Sequence, residues 1–332
     1  MTDYISMIRK LAADLPYTKI MEVCGGHTHT IMKYGLHDIL PENVKLVAGP
    51  GCPVCVTSQH DIDCVIELAK NGIPITTYGD MLHVPGTKMS LDDARSRGAN
   101  IRMVLSATEA LDYPDHVFFG IGFETTTPMT AFLLKKGLTV YSTHKVMPPP
   151  MRILAESDSE IRGFIDPGHV SAITGTALWE SLDVPQVVCG FKPEQMIRAI
   201  CKLLTLIKEK DPSVINDYPE VVRPEGNTKA LQLIEDTMKP VDADWRGFGS
   251  IPDSGLDPLD DDLNAKLVYQ DLLSGIESRE NPGCRCSEVI RGLIEPDNCP
   301  LFGKACTPDS PQGACMVSQN EAACAIYYRY RR

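Results

Sequence analysis

Residues 44–72 read VKLVAGPGCPVCVTSQHDIDCVIELAKNG, the pattern of a buried strand, a turn rich in glycine and proline, and a helix. The apolar run Val44–Ala48 has the length and composition of a strand. Ser58 and Asp61 resemble a capping box at the helix start, and the pair at 71–72, Asn-Gly, is a typical helix end. A strand followed directly by a helix is the unit from which parallel α/β sheets are built. This stretch therefore predicts an α/β fold.

The same unit recurs along residues 20–210, where short apolar runs alternate with helical segments. The predicted strands are Lys19–Val23, Val44–Ala48, Ile73–Thr77, Ile101–Leu105, Val117–Ile121, Thr139–Thr143 and Val187–Cys189. KIMEVCGGHTHT (19–30) and HVFFGIGFETTT (116–127) look alike, as a strand, a glycine-rich turn and a polar helix start. This weak repeat predicts two related α/β domains with parallel sheets, residues 20–115 and 116–210, whose functional loops lie at the carboxyl ends of the strands. The alternative is two unrelated units with similar turns.

Three further segments complete the predicted organisation. Residues 1–19 are predicted as an amphipathic N-terminal helix, because apolar residues recur there at helical spacing. Residues 211–283 are richer in proline and acidic residues and are predicted as a surface connector, with a helix-like run at Thr228–Met238 and a loop-like run at 242–262. Residues 284–332 contain six of the twelve cysteines, which predicts a small cysteine-rich domain.

Charge and composition exclude several classes of function. The net charge of −12 argues against nucleic acid and anionic membranes as partners, since both are bound through Lys and Arg. No apolar run reaches the roughly 18–20 residues of a membrane helix. Charges interrupt the N-terminal segment, so it is not read as a signal peptide, and the predicted location is the cytoplasm. In a reducing compartment we expect metal binding or thiol chemistry from the cysteines rather than structural disulfides.

The cysteine-rich tail is predicted to hold a metal centre. Its cysteines are Cys284, Cys286, Cys299, Cys306, Cys315 and Cys324. Four thiolates suit either a tetrahedral zinc ion or a [4Fe–4S] cluster. Structural zinc sites usually contain close Cys-x2–4-Cys pairs, and the wide spacings in this tail fit a cluster better. A zinc ion and thiols without metal are the alternatives.

Cys24 lies in a glycine-rich loop, CGGHTH (24–29), between a predicted strand and a predicted helix. The positive end of the helix and its free N–H groups are expected to lower the pKa of the Cys24 thiol. His27, three residues on, is expected on the same face of the first helical turn. A thiolate beside an imidazole can bind iron, copper or zinc, or act as a nucleophile with its base. The alternative is a structural turn with a buried cysteine.

Cys52 and Cys55 form a Cys-x-x-Cys pair at a helix start, in the loop GPGCPVC (49–55). This arrangement is typical of redox-active dithiols, because the helix end activates the first thiol and the second can close a disulfide. Half of a zinc site and simple packing are the alternatives. The isolated Cys64, Cys189 and Cys201 are predicted to be small buried residues.

Taken together, the motifs resemble the HypD family of [NiFe]-hydrogenase maturation proteins. The matching stretches are CGGHTH (24–29), GPGCPVC (49–55), GFETT (122–126), DPGHVS (166–171), CGFKP (189–193), CPLFGKACTP (299–308) and GACMVS (313–318). The resemblance implies two α/β units and a cluster domain around a central cleft. It implies a maturation scaffold with thiol redox activity that assembles an Fe(CN)2CO group. The implied partners are a small HypC-type chaperone and a HypE-type cyanide donor, and the hydrogenase large subunit receives the group.

The resemblance also implies roles for individual residues. Cys24 would hold the iron of Fe(CN)2CO jointly with a cysteine of the chaperone, and His27 would orient or deprotonate it. Cys52 and Cys55 would be the catalytic redox pair, reduced through the cluster. The cluster ligands of the family follow Cys-x14-Cys-x6-Cys-x16-Cys, which assigns them here to Cys284, Cys299, Cys306 and Cys324.

One interval departs from the family pattern. Residues 307–323, between Cys306 and Cys324, number 17 instead of 16. Cys315 is therefore an alternative fourth ligand, and Cys286 is a rival of Cys284. A competing function is a free-standing iron–sulfur-dependent thiol–disulfide reductase, which needs the Cys-x-x-Cys pair and not Cys24.

Overall fold

A computed structural model describes residues 2–157 and 160–330 of the 332-residue chain. Residues 1, 158–159 and 331–332, which belong to the predicted units 1–19, 116–210 and 284–332, lie outside this part. The strands are β1 (Thr18–Glu22), β2 (Val44–Ala48), β3 (Ile75–Tyr78), β4 (Ile101–Val104), β5 (Val117–Gly122), β6 (Val140–Lys145), β7 (Ile161–Pro167), β8 (Gln186–Cys189), β9 (Val214–Asn216), β10 (Met238–Trp245) and β11 (Gly249–Pro258).

Helices connect the strands and cover the sheets. They are α1 (Thr2–Ala12), α2 (Gly25–Tyr34), α3 (Pro53–Val56), α4 (Gln59–Lys70), α5 (Gly79–Leu82), α6 (Leu91–Ser96), α7 (Thr127–Lys135), α8 (Pro148–Glu156), α9 (Gly168–Thr174), α10 (Pro193–Glu209), α11 (Thr228–Thr237), α12 (Ala265–Val268), α13 (Gln270–Leu273), α14 (Cys286–Val289) and α15 (Ala323–Tyr330). Short 3-10 turns lie at Leu36–Ile39, Ala107–Asp112, Trp179–Ser181, Asp261–Leu263, Pro296–Asn298 and Ala314–Met316. No helix among the described residues is long and apolar enough to span a membrane.

Two sheets organise the molecule, and most strand pairs in them are parallel. The first has the order β2-β1-β7-β8-β9 and is parallel throughout. The second has the order β10-β11-β6-β5-β3-β4, in which β6, β5, β3 and β4 are parallel. The hairpin β10–β11 joins its edge, where β11 runs antiparallel to β6. The predicted α/β class with parallel sheets is confirmed.

The strands are not divided between the sheets as the sequence repeat suggested. The chain leaves the first sheet after β2, builds β3–β6 of the second, and returns at β7. Each sheet therefore draws strands from both sides of residue 115, while the domain boundaries themselves stay predictions. Turn chemistry is local, whereas the choice of a pairing strand depends on which apolar faces meet after the crossover.

Each of the seven predicted strands is present, with ends within two residues of the predicted ones. The predicted N-terminal helix is α1, which buries Ile8 and Ala12 beside α10. The helix-like run in the connector is α11. The prediction of a loop at 242–262 was wrong, because most of this segment forms the hairpin β10–β11. Glycine, proline and aspartate, which strands disfavour, concealed this edge hairpin.

The cysteine-rich tail packs into the core of the sheets. The largest hydrophobic cluster contains Phe119 of the second sheet, Phe164 of the first, Cys55 of α3, and Cys315 and Cys324 of the tail. Because these buried side chains form one cluster, the structure does not confirm the tail as a small domain of its own. The tail instead covers the edge at which the loops after β1 and β2 meet.

Candidate functional site

The loops of Cys24 and Cys52 meet because their strands are neighbours. β1 and β2 pair in parallel, so the chain leaves both at the same edge of the sheet. The N–H of Gly25 donates to the carbonyl of Gly51 over 3.4 Å. A Cβ on Gly51 would lie 2.3 Å from the backbone nitrogen of Cys24. The two loops thus touch backbone to backbone, with no room for a side chain at residue 51.

The tail supplies a third wall to this site. A Cβ on Gly25 would lie 2.3 Å from the carbonyl oxygen of Glu321, just before α15. Close by, a cavity of about 390 Å3 is lined by residues of the Cys52 loop, the second sheet and the tail, among them Val54, Asp80, Leu105 and Glu321. Three segments far apart in sequence therefore converge around Cys24.

The contact at Gly51 leads to a first prediction. Gly51→Ala should lower the free energy of unfolding by about 1–3 kcal/mol, because the methyl group must push the Cys24 backbone away. Gly79→Ala is the matched control, since its methyl would meet only the flexible end of the Met103 side chain, at 3.0 Å. Urea unfolding of both variants measures the difference. Equal losses in the two variants would contradict the tight contact between the loops.

Cys24 caps the start of α2, but its thiol is not activated as the sequence suggested. Burial raises the pKa of the Cys24 thiol to about 12, and the carboxylates of Glu22 and Glu321 act in the same direction. Backbone N–H groups of Gly26 and His27 do lower this pKa, as expected of a helix start, but burial has the larger effect. The expected low pKa was therefore wrong. Cys24 is therefore a neutral thiol at neutral pH.

His27 is fully buried and turned towards the next loop. Its Nε2 lies 3.2 Å from the carbonyl oxygen of Gly190 and 3.5 Å from Sγ of Cys189. A carbonyl only accepts, so Nε2 carries the hydrogen and Nδ1 has the free lone pair. Burial lowers the pKa of His27 to about 4, so the ring is neutral. Nδ1 has no hydrogen-bond partner among the described residues.

Cys52 and Cys55 face each other across the first turn of α3. Cys52 is the N-cap, and the N–H of Cys55 lies 3.4 Å from its Sγ. Both are buried and present as free thiols. Burial raises the pKa of Cys55 well above its usual value, and the Cys52 thiol adds to the effect, as does Cys324 in the tail. The pair therefore lies close to the tail cysteines.

Four tail cysteines converge on one another. Burial raises the pKa of Cys324 well above its usual value, and the neighbouring thiols of Cys284, Cys306 and Cys299 act in the same direction. Backbone surrounds this group closely. The N–H of Gln312 donates to Sγ of Cys306 over 3.3 Å, and a Cβ on Gly313 would lie 2.4 Å from Sγ of Cys284. These four are the residues to which the family resemblance assigned the cluster ligands.

The remaining two tail cysteines, Cys286 and Cys315, form a disulfide bond. The expectation of no disulfides was wrong for this pair, since α14 and the turn Ala314–Met316 bring the two thiols together in the core. A disulfide sulfur is not a thiolate ligand, so Cys286 and Cys315 are not available as the alternative ligands in this state.

No group of three or more His, Cys, Asp or Glu in residues 2–157 and 160–330 is placed so that it could hold a metal ion. Ligands of one ion crowd around a single centre, whereas the thiolates of a cluster each bind a different iron of the cube.

Two residues of the site escaped the sequence reasoning. Glu22, at the end of β1, accepts from the backbone N–H of Cys24 over 3.0 Å and from the hydroxyl of Thr28. Burial raises the pKa of Glu22 to about 8. An acidic residue inside an apolar strand, two positions before Cys24, was the available signal. The second residue is Arg246, which lines a cavity together with Cys284. It lies in the turn of the hairpin β10–β11, and nothing in the neighbouring sequence indicated a functional role.

The chain is similar to known proteins over nearly its whole length. A family described as "HypD: Hydrogenase formation hypA family" matches residues 1–331. The hydrogenase maturation factor HypD of Escherichia coli is 39% identical, over 99% of this chain and 94% of its own length. HypD2 of Bradyrhizobium diazoefficiens is 40% identical, over 96% of this chain and 90% of its own. HypD of Azotobacter vinelandii is 39% identical, over 95% and 89% respectively.

Proposed function

The chain belongs to the HypD family of hydrogenase maturation factors, and we propose that it assembles the Fe(CN)2CO group of [NiFe]-hydrogenase. In this role it is a scaffold and redox protein that works with a small HypC-type chaperone and a HypE-type cyanide donor. The hydrogenase large subunit receives the finished group. The observation that carries the proposal is the convergence of the Cys24 loop, the Cys52–Cys55 pair and the tail cysteines at one edge of the first sheet.

Cys24 is the residue proposed to hold the iron substrate. The thiol is neutral in the free chain, with a pKa of about 12, so iron binding must release its proton. Burial raises the pKa of Glu22 to about 8, so its carboxyl is largely protonated at neutral pH and the thiol proton passes to solvent. Glu22 holds the loop by accepting from the backbone N–H of Cys24. N–H groups of Gly26 and His27 then stabilise the bound sulfur. Soft thiolate is the ligand type that low-spin iron with cyanide prefers.

The tail cysteines are proposed to hold a [4Fe–4S] cluster. Four mutually close thiols, the backbone donor at Gln312 and the absence of a side chain at Gly313 fit such a group. When bound, a cluster of this type supplies single electrons at a potential set by its charge and surroundings. Cys284, Cys299, Cys306 and Cys324 would hold it, and the surrounding core would exclude water.

Thiol–disulfide exchange within the chain is the proposed redox step. Helix α3, which contains Cys55, packs against the turn Ala314–Met316, which contains Cys315. When Cys52 and Cys55 form a disulfide bond, they release two electrons and two protons. The Cys286–Cys315 bond breaks and takes up these electrons and protons, which gives two thiols. The exchange balances without another reagent.

The partner chains are proposed to dock at the cavity beside the Cys24 loop. Leu105 at its rim is 84% exposed, and Met103 nearby is 52% exposed, which is unusual for large apolar side chains. A small chaperone bound there would bring a second thiol to the iron held by Cys24.

The second candidate function is a free-standing iron–sulfur-dependent thiol–disulfide reductase. The observation in its favour is that a dithiol and a disulfide lie side by side, next to the four tail thiols. This function has no use for Cys24, and the Cys24 variants described in the Discussion decide between the two candidates.

A redox titration tests the Cys52–Cys55 pair. We expect it to form a reversible disulfide with a midpoint between about −120 and −300 mV, as other helix-start dithiols do. Thiol trapping followed by mass spectrometry measures the midpoint, and a Cys52→Ser variant identifies the peptide. Cys201, buried on α10, is the internal control and should stay reduced throughout. If Cys52 and Cys55 remain free thiols under mild oxidants, the redox role is refuted and the pair has a packing role only.

A further inference from the structure

The hairpin turn between β10 and β11 lies between two parts of the redox site. The N–H of Arg246, in this turn, donates to the carbonyl of Val56 at the end of α3 over 3.0 Å. On the other side, a Cβ on Gly247 would lie 2.9 Å from the carbonyl oxygen of Ser287, next to Cys286. The turn therefore contacts the Cys52–Cys55 helix and the tail at the same time.

The guanidinium of Arg246 is buried and only partly paired. The residue is 5% exposed. Its Nη1 donates to Oε1 of Glu280 over 2.7 Å and to Oε1 of Gln59 over 3.3 Å. Nε and Nη2 are out of reach of solvent and have no acceptor among the described residues. Buried donors without acceptors are rare in native proteins and call for an explanation.

Two thiols lie near enough to feel this unsatisfied charge. Burial raises the pKa of Cys55 and of Cys284, and the positive charge of Arg246 opposes that rise at both thiols. Arg246 also lines a cavity of about 450 Å3 together with Cys284 and Cys286. The charge thus lies between the dithiol and the tail site.

We propose that Arg246 is a positioning residue that supplies the counter-charge of the tail iron–sulfur site, with Nε and Nη2 as donors to its sulfur atoms. The inference rests on the iron–sulfur site proposed above. Cysteine-bound clusters have a net negative charge that grows on reduction, and their potential depends on nearby charge and on hydrogen bonds to sulfur. A fixed, water-free positive charge at Arg246 therefore favours the reduced state. It also accounts for two donors that have no partner in the protein alone.

Two variants that change the local charge in opposite directions test the proposal. Arg246→Met keeps the length of the side chain and removes the charge, whereas Glu280→Gln removes the acidic partner of Arg246. Arg279→Met is the matched control, because Arg279 lines the same cavity and its side chain is 80% exposed. The midpoint potential of the cluster, followed by electron paramagnetic resonance in the anaerobically purified chain, is the measurement.

We expect Arg246→Met to reduce the ratio of reduced to oxidised cluster at least tenfold at a fixed potential, a shift of about 59 mV for one electron. Glu280→Gln should shift the ratio two- to threefold the other way, and Arg279→Met should leave it unchanged. Arg246→Lys should restore part of the wild-type potential, which a merely structural role would not explain.

Midpoints equal to the wild-type value in both Arg246→Met and Glu280→Gln would overturn the proposal. If Arg246→Met does not retain its cluster, the direction in which Glu280→Gln shifts the midpoint potential decides whether the proposal holds. Iron and sulfide missing from the wild-type chain would overturn the cluster and this inference together. A cluster whose midpoint potential is the same in the wild type and in these variants would overturn only the role of Arg246.

Discussion

Cys24→Ala should abolish the C≡N and C≡O infrared bands of the complex with the small chaperone, and hydrogenase maturation with them. The reason is that the variant lacks the thiolate proposed to hold the iron substrate. The fold and the proposed tail cluster should remain, because the variant removes one thiol from the Cys24 loop and leaves the four tail thiols in place. Infrared spectra of the co-purified complex are the measurement, with iron and sulfide analysis to check the cluster.

Matched variants make this test specific. Cys24→Ser should be nearly as damaging, since a hydroxyl is a hard and poorly ionised ligand for low-spin iron. Cys201→Ala, at a buried cysteine of α10, should keep both bands. His27→Ala should be milder if Nδ1 only orients the site, and equally severe if Nδ1 binds the iron. Bands of wild-type intensity in Cys24→Ala would refute the scaffold function and favour the reductase.

Cys306→Ala should remove the iron and acid-labile sulfide of the tail. One iron of the proposed cluster would lose its thiolate, and the backbone donor at Gln312 would lose its sulfur acceptor. Metal binding in such a segment is coupled to its folding, so we also expect a loss of about 3–5 kcal/mol in the free energy of unfolding. Anaerobic metal and sulfide analysis, the absorbance near 400 nm and denaturant unfolding measure these effects.

Two other cysteines serve as controls for the cluster. Cys64→Ala, in α4, should retain the full iron and sulfide content. Cys315→Ser should retain it too, because Cys315 is joined to Cys286 by a disulfide. A full complement in Cys306→Ala, or a loss in Cys315→Ser but not in Cys324→Ser, would show that the ligands are assigned to the wrong residues.

Local features of the fold were predictable from local sequence. The strand Val44–Ala48 has the predicted ends, and Ser58 caps α4 by accepting from the N–H of Asp61 over 3.0 Å. The Cys52 cap of α3 also follows from its own loop. Apolar runs, caps and turns involve residues within a few positions of one another, so their pattern is visible in the sequence.

Burial and long-range contacts were not predictable in this way. The sequence indicated a low pKa for Cys24, because its helix start is local, whereas the tail that encloses the thiol was not visible. The hairpin containing Arg246 is rich in residues that strands disfavour, and its place beside Cys284 depends on the pairing of β11 with β6.

The sequence by itself thus determined the α/β class, the positions of the three cysteine motifs along the chain, and the helix starts at which Cys24 and Cys52 lie. Only the tertiary structure decided that β1 pairs with β7, that Cys286 and Cys315 form the disulfide, and that Arg246 reaches the redox site. The physical reason is the separation along the chain of the residues that interact. Helix caps and turns depend on neighbours in the chain, whereas desolvation, strand pairing and disulfide formation depend on segments that meet only after folding.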